Sequence, residues 1–290
     1  MAGLDNCSLA RVRSSLVLDA SPISDAPLLS DATLLSDVIG AGYEHERSSG
    51  LEMVRLLASG DTALVVEFGD VIDPAINARV IQLAERIDRA AISGVVELVP
   101  TFRSLMVHYD PELLLFAELS AAVEALLPGL TAVLQAKRQW QLPVCYGGDL
   151  GPDLAAVAEA TELSAEAVIG LHAAARYQVY MVGFLPGYPY MGDLTEKLAL
   201  PRRENPRLKV PMGSVCIAQR MTGIYPLESP GGWHLLGRTP VRMFDTRRAE
   251  PVLLAPGDAV RFVPIDRHEF DRLETLAENG DLHIGPELLP

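Results

Sequence analysis

Apolar positions keep no helix or strand period over residues 1–52. That stretch holds Asp5, Asp19, Asp25, Asp31, Asp37, Glu44, Glu46 and Glu52 against Arg11, Arg13 and Arg47, and Leu-Leu-Ser-Asp occurs in it twice, at 28–31 and 34–37. So little periodic apolar surface does not offset the entropy of ordering, which predicts a disordered or weakly structured acidic tail. The other reading is that translation starts at Met53, where a strand pattern begins at once.

From 53 to about 135 the pattern reads as a small domain. Thr62 to Phe68 is β-branched and apolar enough for a strand, ended by Gly69-Asp70. Asp73-Pro74 is an N-cap followed by proline at the first helical position. Ile76, Val80, Leu83, Ala84 and Ile87 then recur at helical spacing, with Gly94 closing the helix. Val95 to Val99 and Ser104 to Tyr109 read as strands, the second alternating Leu105, Val107 and Tyr109 with polar or flexible neighbours. Phe116, Leu119, Val123 and Leu126 mark a second helix, stopped near Pro128-Gly129. The order β-α-β-β-α predicts a two-layer α/β sandwich, followed by a linker over 130–141.

A second domain is expected over 142–275. It opens with a strand from Leu142 to Tyr146 and continues through a helical insertion in which Ser164 caps 165–174. Beyond Tyr177 short apolar runs alternate with Gly and Pro. Tyr177 to Phe184, Val215 to Ala218, His234 to Arg238, Val241 to Phe244 and Ala259 to Pro264 are expected strands. Such close turn signals predict a closed β-barrel, so the fold class is α+β. Residues 266–290 read as a peripheral helix and a tail, the tail covering 276–290.

Charge narrows the function. With 290 residues and a net charge of −14, the chain lacks the basic surface that nucleic acid needs. No uncharged apolar run is long enough to span a membrane, and Asp5 sits where a secretory signal would carry positive charge. Cys7, Cys145 and Cys216 have no C-x-x-C spacing and the six histidines no ligand spacing, so neither a disulfide scaffold nor a metal site is expected; a reducing cytoplasm fits.

Three stretches are candidates for chemistry. The first, Gly183 to Asp193, sets Phe184, Tyr188 and Tyr190 among prolines and glycines, either as the wall of a small-molecule pocket or as packing at the barrel mouth. In the second, Arg202, Arg203, Arg207 and Lys209 form a basic cluster that either clamps a carboxylate or phosphate or balances acidic surface. The third runs from Thr222 through Tyr225 to Trp233, where Ser229-Pro-Gly231-Gly232 can turn amides toward an anion and Trp233 can stack; the alternative is a hairpin connection with Trp233 in the core. No G-x-x-x-x-G-K-[ST] loop and no G-x-S-x-G elbow occurs. Spacing does not pair Ser214, Ser229, Cys216 or His234 as nucleophile and base, and His172 and His108 read as structural or surface histidines.

Taken in order, Gly183-Phe-Leu-Pro-Gly-Tyr-Pro-Tyr190, Pro201-Arg-Arg203, Pro206-Arg207, Val210-Pro-Met-Gly-Ser-Val215, Thr222-Gly-Ile-Tyr-Pro226, Ser229-Pro-Gly-Gly-Trp233, Gly237-Arg-Thr-Pro240 and Pro256-Gly-Asp-Ala-Val-Arg-Phe262 resemble the KipI/PxpB family. That family is also called allophanate hydrolase subunit 1 or carboxyltransferase subdomain C/D. The resemblance spans about 53–275 and includes Val96-Glu-Leu-Val-Pro100 and Ser104-Leu-Met-Val-His-Tyr-Asp-Pro111. It implies a cyclophilin-like barrel, a KipA/PxpC-type partner and a third PxpA-type subunit. It also implies a complex that opens 5-oxoproline to L-glutamate with ATP, and allows Mg with the nucleotide. Cations near developing phosphate charge would then be Arg202, Arg203, Arg207 and Arg238. Two other functions go with the same resemblance: inhibition of a sensor histidine kinase, and a part in urea or allophanate metabolism. The chain departs from the family pattern at Met221, where glutamine is usual, and at Cys216, where a smaller residue is common.

Overall fold

The computed structural model describes residues 54–133 and 135–289. The expectations for residues 1–52, and Cys7, lie outside them. All elements below belong to one compact unit.

Six elements build the first layer pair: β1 (Arg55–Ser59), β2 (Ala63–Glu67), α1 (Pro74–Ala90), β3 (Val95–Pro100), β4 (Ser104–Tyr109) and α2 (Phe116–Leu126). The strands form an antiparallel sheet in the order β1-β2-β4-β3. Its buried face, with Leu64, Val66, Leu105 and Val107, packs on Ile76, Val80 and Leu83 of α1 and Leu119 of α2. Asp73 caps α1 as its sequence predicts, its Oδ1 accepting from the amides of Ala75 at 2.8 Å and Ile76 at 3.2 Å. The helix stops before Gly94, however: Ala91 already takes the left-handed conformation, and Gly94, at φ 91°, turns the chain into β3.

The remaining elements are β5 (Arg138–Tyr146), α3 (Leu154–Ala160), α4 (Ala165–Ala174), β6 (Tyr177–Val182), β7 (Pro189–Gly192), β8 (Arg207–Val210), β9 (Ser214–Ala218), β10 (Met221–Ile224), β11 (Ser229–Gly231), β12 (His234–Arg238), β13 (Ala259–Pro264), α5 (Arg267–Asn279) and β14 (Glu287–Leu288). Seven strands run β12-β9-β10-β7-β6-β13-β5 and return to β12 through Gly237 opposite Tyr146 and Arg238 opposite Cys145. The barrel is therefore closed, and the α+β architecture read from the pattern is present. Val144, Val179, Met191, Val215, Ile217, Leu236 and Val260 fill its interior, with Val157 of α3 and Val168 of α4 packed against them. The 276–290 stretch is more than a tail: α5 runs on to Asn279, and β14 pairs with Arg138 and Gln139 at the start of β5.

One expected strand is absent. Val241 to Phe244 keeps the alternation, with Val241 and Met243 buried, but Phe244 makes only an isolated bridge to Val252. The segment folds on itself, Leu253 N–H donating to the Met243 carbonyl at 2.9 Å, so burial here is met without a ladder.

A buried amide joins the small sheet to the barrel. Asn77 on α1 donates through Nδ2 to the Thr101 carbonyl at 3.0 Å and to the Tyr180 carbonyl of β6 at 3.2 Å. Its Oδ1 accepts from Gln178 Nε2 at 3.2 Å.

Candidate functional site

Alternation along β7, β9, β10 and β12 gives these strands two buried faces instead of one. Val215, Ile217, Ile224, Leu236 and Met191 point into the barrel. Cys216, Ala218, Met221, Leu235 and Tyr188 belong to a second cluster on the outer wall, with Val210, Tyr225 and Trp233. Two close approaches make the layer fit. A Cβ on Gly223 would stand 2.7 Å from the Tyr188 hydroxyl, and one on Gly231 would run into the Tyr225 hydroxyl.

Seven aromatic contacts tie this wall together. Tyr188 lies 4.8 Å from Tyr190, 5.1 Å from Tyr225 and 6.1 Å from Trp233, centroid to centroid. Tyr190 meets Trp233 at 5.9 Å and Phe102, from the turn between β3 and β4, at 5.5 Å, all within the range of edge-to-face attraction. Phe102 also meets Tyr180, and Phe184 meets Tyr188 at 5.7 Å. Phe184 is held at φ 68° and is 63% exposed, whereas Tyr188, Tyr225 and Trp233 are buried and Tyr190 half-buried. In the Gly183–Asp193 stretch Tyr188 packs as core, as one of the two expected readings has it, while Phe184 and Tyr190 stay at the surface. The stretch also contains β7, with Pro189 and Gly192 at its ends, so glycine and proline do not exclude a short strand here.

The arginines divide. Arg203 Nη1 and both terminal nitrogens of Arg207 bond to Asp153, a buried carboxylate just before α3, at 2.7–2.9 Å. Leu235 N–H completes the cage at 2.7 Å. Burial by itself raises the Asp153 pKa; the hydrogen bonds from Arg207 and Leu235 outweigh it and hold the carboxyl below its ordinary value. Arg203 and Arg207 are thus spoken for by the fold. Arg202 is exposed and has no carboxylate partner among the described residues. Its charge acts on Tyr190 and Tyr225, opposing the burial that raises both hydroxyl pKa values. Arg238 sits opposite Ser214 and Cys145 at the barrel seam, near Asp149.

Ser214 and Thr222 are buried, and Ser229 and Gly231 lie in β11, paired with β8; Gly232 follows, its carbonyl accepting from Arg203 N–H. The Ser229–Gly232 run is therefore largely a ribbon strand and not an open nest of amides.

The family described as carboxyltransferase domain, subdomain C and D, matches residues 54–254. The chain belongs to that family. This carboxyltransferase C/D chain is 39% identical to the B-type 5-oxoprolinase subunit of Bacillus subtilis, over 73% of this chain and 92% of the relative. It is 41% identical to the protein of that name in Escherichia coli, over 74% and 97% respectively. The KipI/PxpB kinship carried by its motifs is thereby shown. The crystal structure of TTHA0988 superposes with a TM-score of 0.63 at 38% identity; the match covers 74% of this chain and spans 40% of the length of that one.

What the carboxyltransferase C/D wall can do chemically follows from its titratable groups. Burial pushes the Cys216 thiol up to about 12, so it is no thiolate at neutral pH. His172, completely buried, is lowered to about 3 by desolvation. Its Nε2 faces Thr222 Oγ1 at 2.9 Å and its Nδ1 the Tyr146 hydroxyl at 2.8 Å. It is a satisfied structural histidine, as its sequence context suggests. His234 Nε2 bonds the Pro201 carbonyl at 2.9 Å. Among the described residues no serine or cysteine hydrogen-bonds a histidine, and no three His, Cys, Asp or Glu side chains are placed to hold a metal ion. No described helix is long and apolar enough to cross a membrane. What the wall offers is an exposed guanidinium beside aromatic faces, which suits a flat ligand carrying an anionic group.

Proposed function

We propose that this chain is the B-type member of an ATP-dependent 5-oxoprolinase complex, opening 5-oxoproline to L-glutamate together with a KipA/PxpC-type partner and a PxpA-type third subunit. The observation that carries the reading is Arg202, an exposed cation without a carboxylate partner among the described residues, whose charge reaches Tyr190 in the aromatic wall. A 5-oxoproline molecule is a small ring with a carboxylate, and ATP is a flat base with phosphates; the wall complements either in kind. Relatives that share most of their length with this chain and are named as the B-type component of 5-oxoprolinase support the same reading.

The described residues hold no activated nucleophile, so this chain supplies binding and orientation and its partner completes the site. The lactam is a stable amide, and phosphorylation of its oxygen makes the ring carbon electrophilic. Arg202 is then the cation available to the developing charge, and Arg203 and Arg207 hold its loop. ATP, with Mg at its phosphates, is in this reading a substrate of the whole complex.

Co-expression with the two partners, followed by 5-oxoproline-dependent ADP release, tests the proposal. Arg202→Ala is expected to lower kcat/KM by about tenfold or more, equivalent to about 1.4 kcal/mol or more. Absence of a complex, or turnover unaffected by Arg202→Ala, would overturn it.

A further inference from the structure

A cavity of about 550 Å³ lies away from the aromatic wall, between the 241–253 loop, the end of α5 and residues 282–285. Arg242, Arg247, Arg248 and His283 line it, with Asp245 the single carboxylate among the lining residues. In a chain of net charge −14, three guanidinium groups around one cavity are a local reversal of sign.

The single carboxylate is already engaged. Asp245 takes Arg247 in a fork, Nε at 2.9 Å to Oδ1 and Nη2 at 2.6 Å to Oδ2. Arg247 in turn donates to the carbonyls of Ala277 and Glu278 at the end of α5, so its place is structural. Arg248 donates through Nη2 to the carbonyls of Arg242 and Pro251, which neutralise no charge. The Nε atoms of Arg242 and Arg248 are shielded from water and have no hydrogen-bond partner among the described residues. A buried donor without an acceptor is costly, and Asp245, whose charge also reaches Arg242 and Arg248, is one negative charge against three guanidinium groups. Desolvation also lowers the Arg248 pKa.

We infer that this cavity binds a small molecule bearing an oxyanion, phosphate or carboxylate, through Arg242 and Arg248. The site is independent of the 5-oxoprolinase reading, since none of its residues belongs to the Arg202 wall. Guanidinium forks match both kinds of oxyanion, and the cavity volume lies in the range of small-molecule sites.

Calorimetric titration of the full chain with inorganic phosphate, and separately with succinate, tests it. Binding of at least one probe is expected, weakened by added salt. Arg242→Gln should weaken it about tenfold or more, Arg242→Lys less, and Arg202→Ala not at all. Phosphate alone binding assigns a phosphorylated ligand; succinate alone assigns a carboxylate. Thermal unfolding of both Arg242 variants reports that they are folded, and Arg242→Lys serves if Arg242→Gln is not. No heat with either probe, binding unchanged in the Arg242 variants, or binding lost in Arg202→Ala would each overturn the inference.

Discussion

His172 makes this protein's stability depend on pH in a way that can be calculated. Its ring stacks on Phe262 at 4.7 Å and lies between two hydroxyls. Thr222 Oγ1 donates to the Cys216 carbonyl, so it accepts from His172 Nε2–H, and Nδ1 is left to accept from Tyr146. The neutral ring is completely satisfied; a second proton on Nδ1 would face the Tyr146 O–H and sit in the barrel interior without a counter-charge. Its folded pKa of about 3 lies below the ordinary 6.5, so as pH falls the unfolded chain takes up the proton first. Stability from this group is full above about pH 6.5 and declines by about 1.4 kcal/mol per pH unit below it, reaching a loss of about 2 kcal/mol at pH 5. Urea unfolding followed by the fluorescence of Trp140 and Trp233, at pH near 7.5 and near 5, measures it. His172→Gln removes the titration, and its stability should fall by about 2 kcal/mol less than wild type over that interval. Equal losses in the two proteins would refute the argument, as would a His172 proton resonance titrating near its ordinary value.

Three other substitutions have definite expectations. Asp153→Asn leaves Arg203 and Arg207 without their buried counter-charge and should cost about 3 kcal/mol at neutral pH in the same unfolding assay. Because the Asp153 pKa is depressed, its contribution is present above the ordinary 3.8 and is lost as pH falls through the lower folded value, so the two proteins should converge in acid. Gly151→Ala drives a Cβ into the Leu236 carbonyl oxygen, a backbone atom that cannot rotate away; a loss of about 3 kcal/mol is expected, read as a lowered midpoint. Arg202→Ala, in contrast, should leave stability within about 0.5 kcal/mol of wild type while impairing the reconstituted reaction.

Local signals were the legible part of this fold. Asp73-Pro74 announces α1 and Ser164 announces α4, because capping is settled within a few residues, and β4 shows its buried face in Leu105, Val107 and Tyr109. Strand β7 hides among the prolines and glycines of the aromatic stretch, since it is made by pairing with β6 and β10 and not by its own composition. Val241 to Phe244 errs the other way, with strand-like alternation but only an isolated bridge from Phe244 to Val252. The site behaved similarly. The Arg202–Arg207 cluster is visible as a cluster, but the division between structural and free arginines depends on Asp153, 50 residues before Arg203. The role of Phe102 had no signal in its own segment, because it reaches the wall from the other sheet. The arginines around the 550 Å³ cavity are equally ordinary in sequence; only the fold places α5 across from them.

Asn77 carries a consequence for anyone cutting this chain into pieces. Its one amide serves the Thr101 turn, the Tyr180 carbonyl and Gln178 at once, and the neighbouring Phe102 covers Tyr190. A barrel expressed from residue 138 onward would keep every strand of its closed ring yet lose that cover. Part of its aromatic wall would become a sticky face. The small sheet thus shields part of the barrel's aromatic wall, and solubility on expression, more than the count of strands retained, should decide where this protein can be truncated.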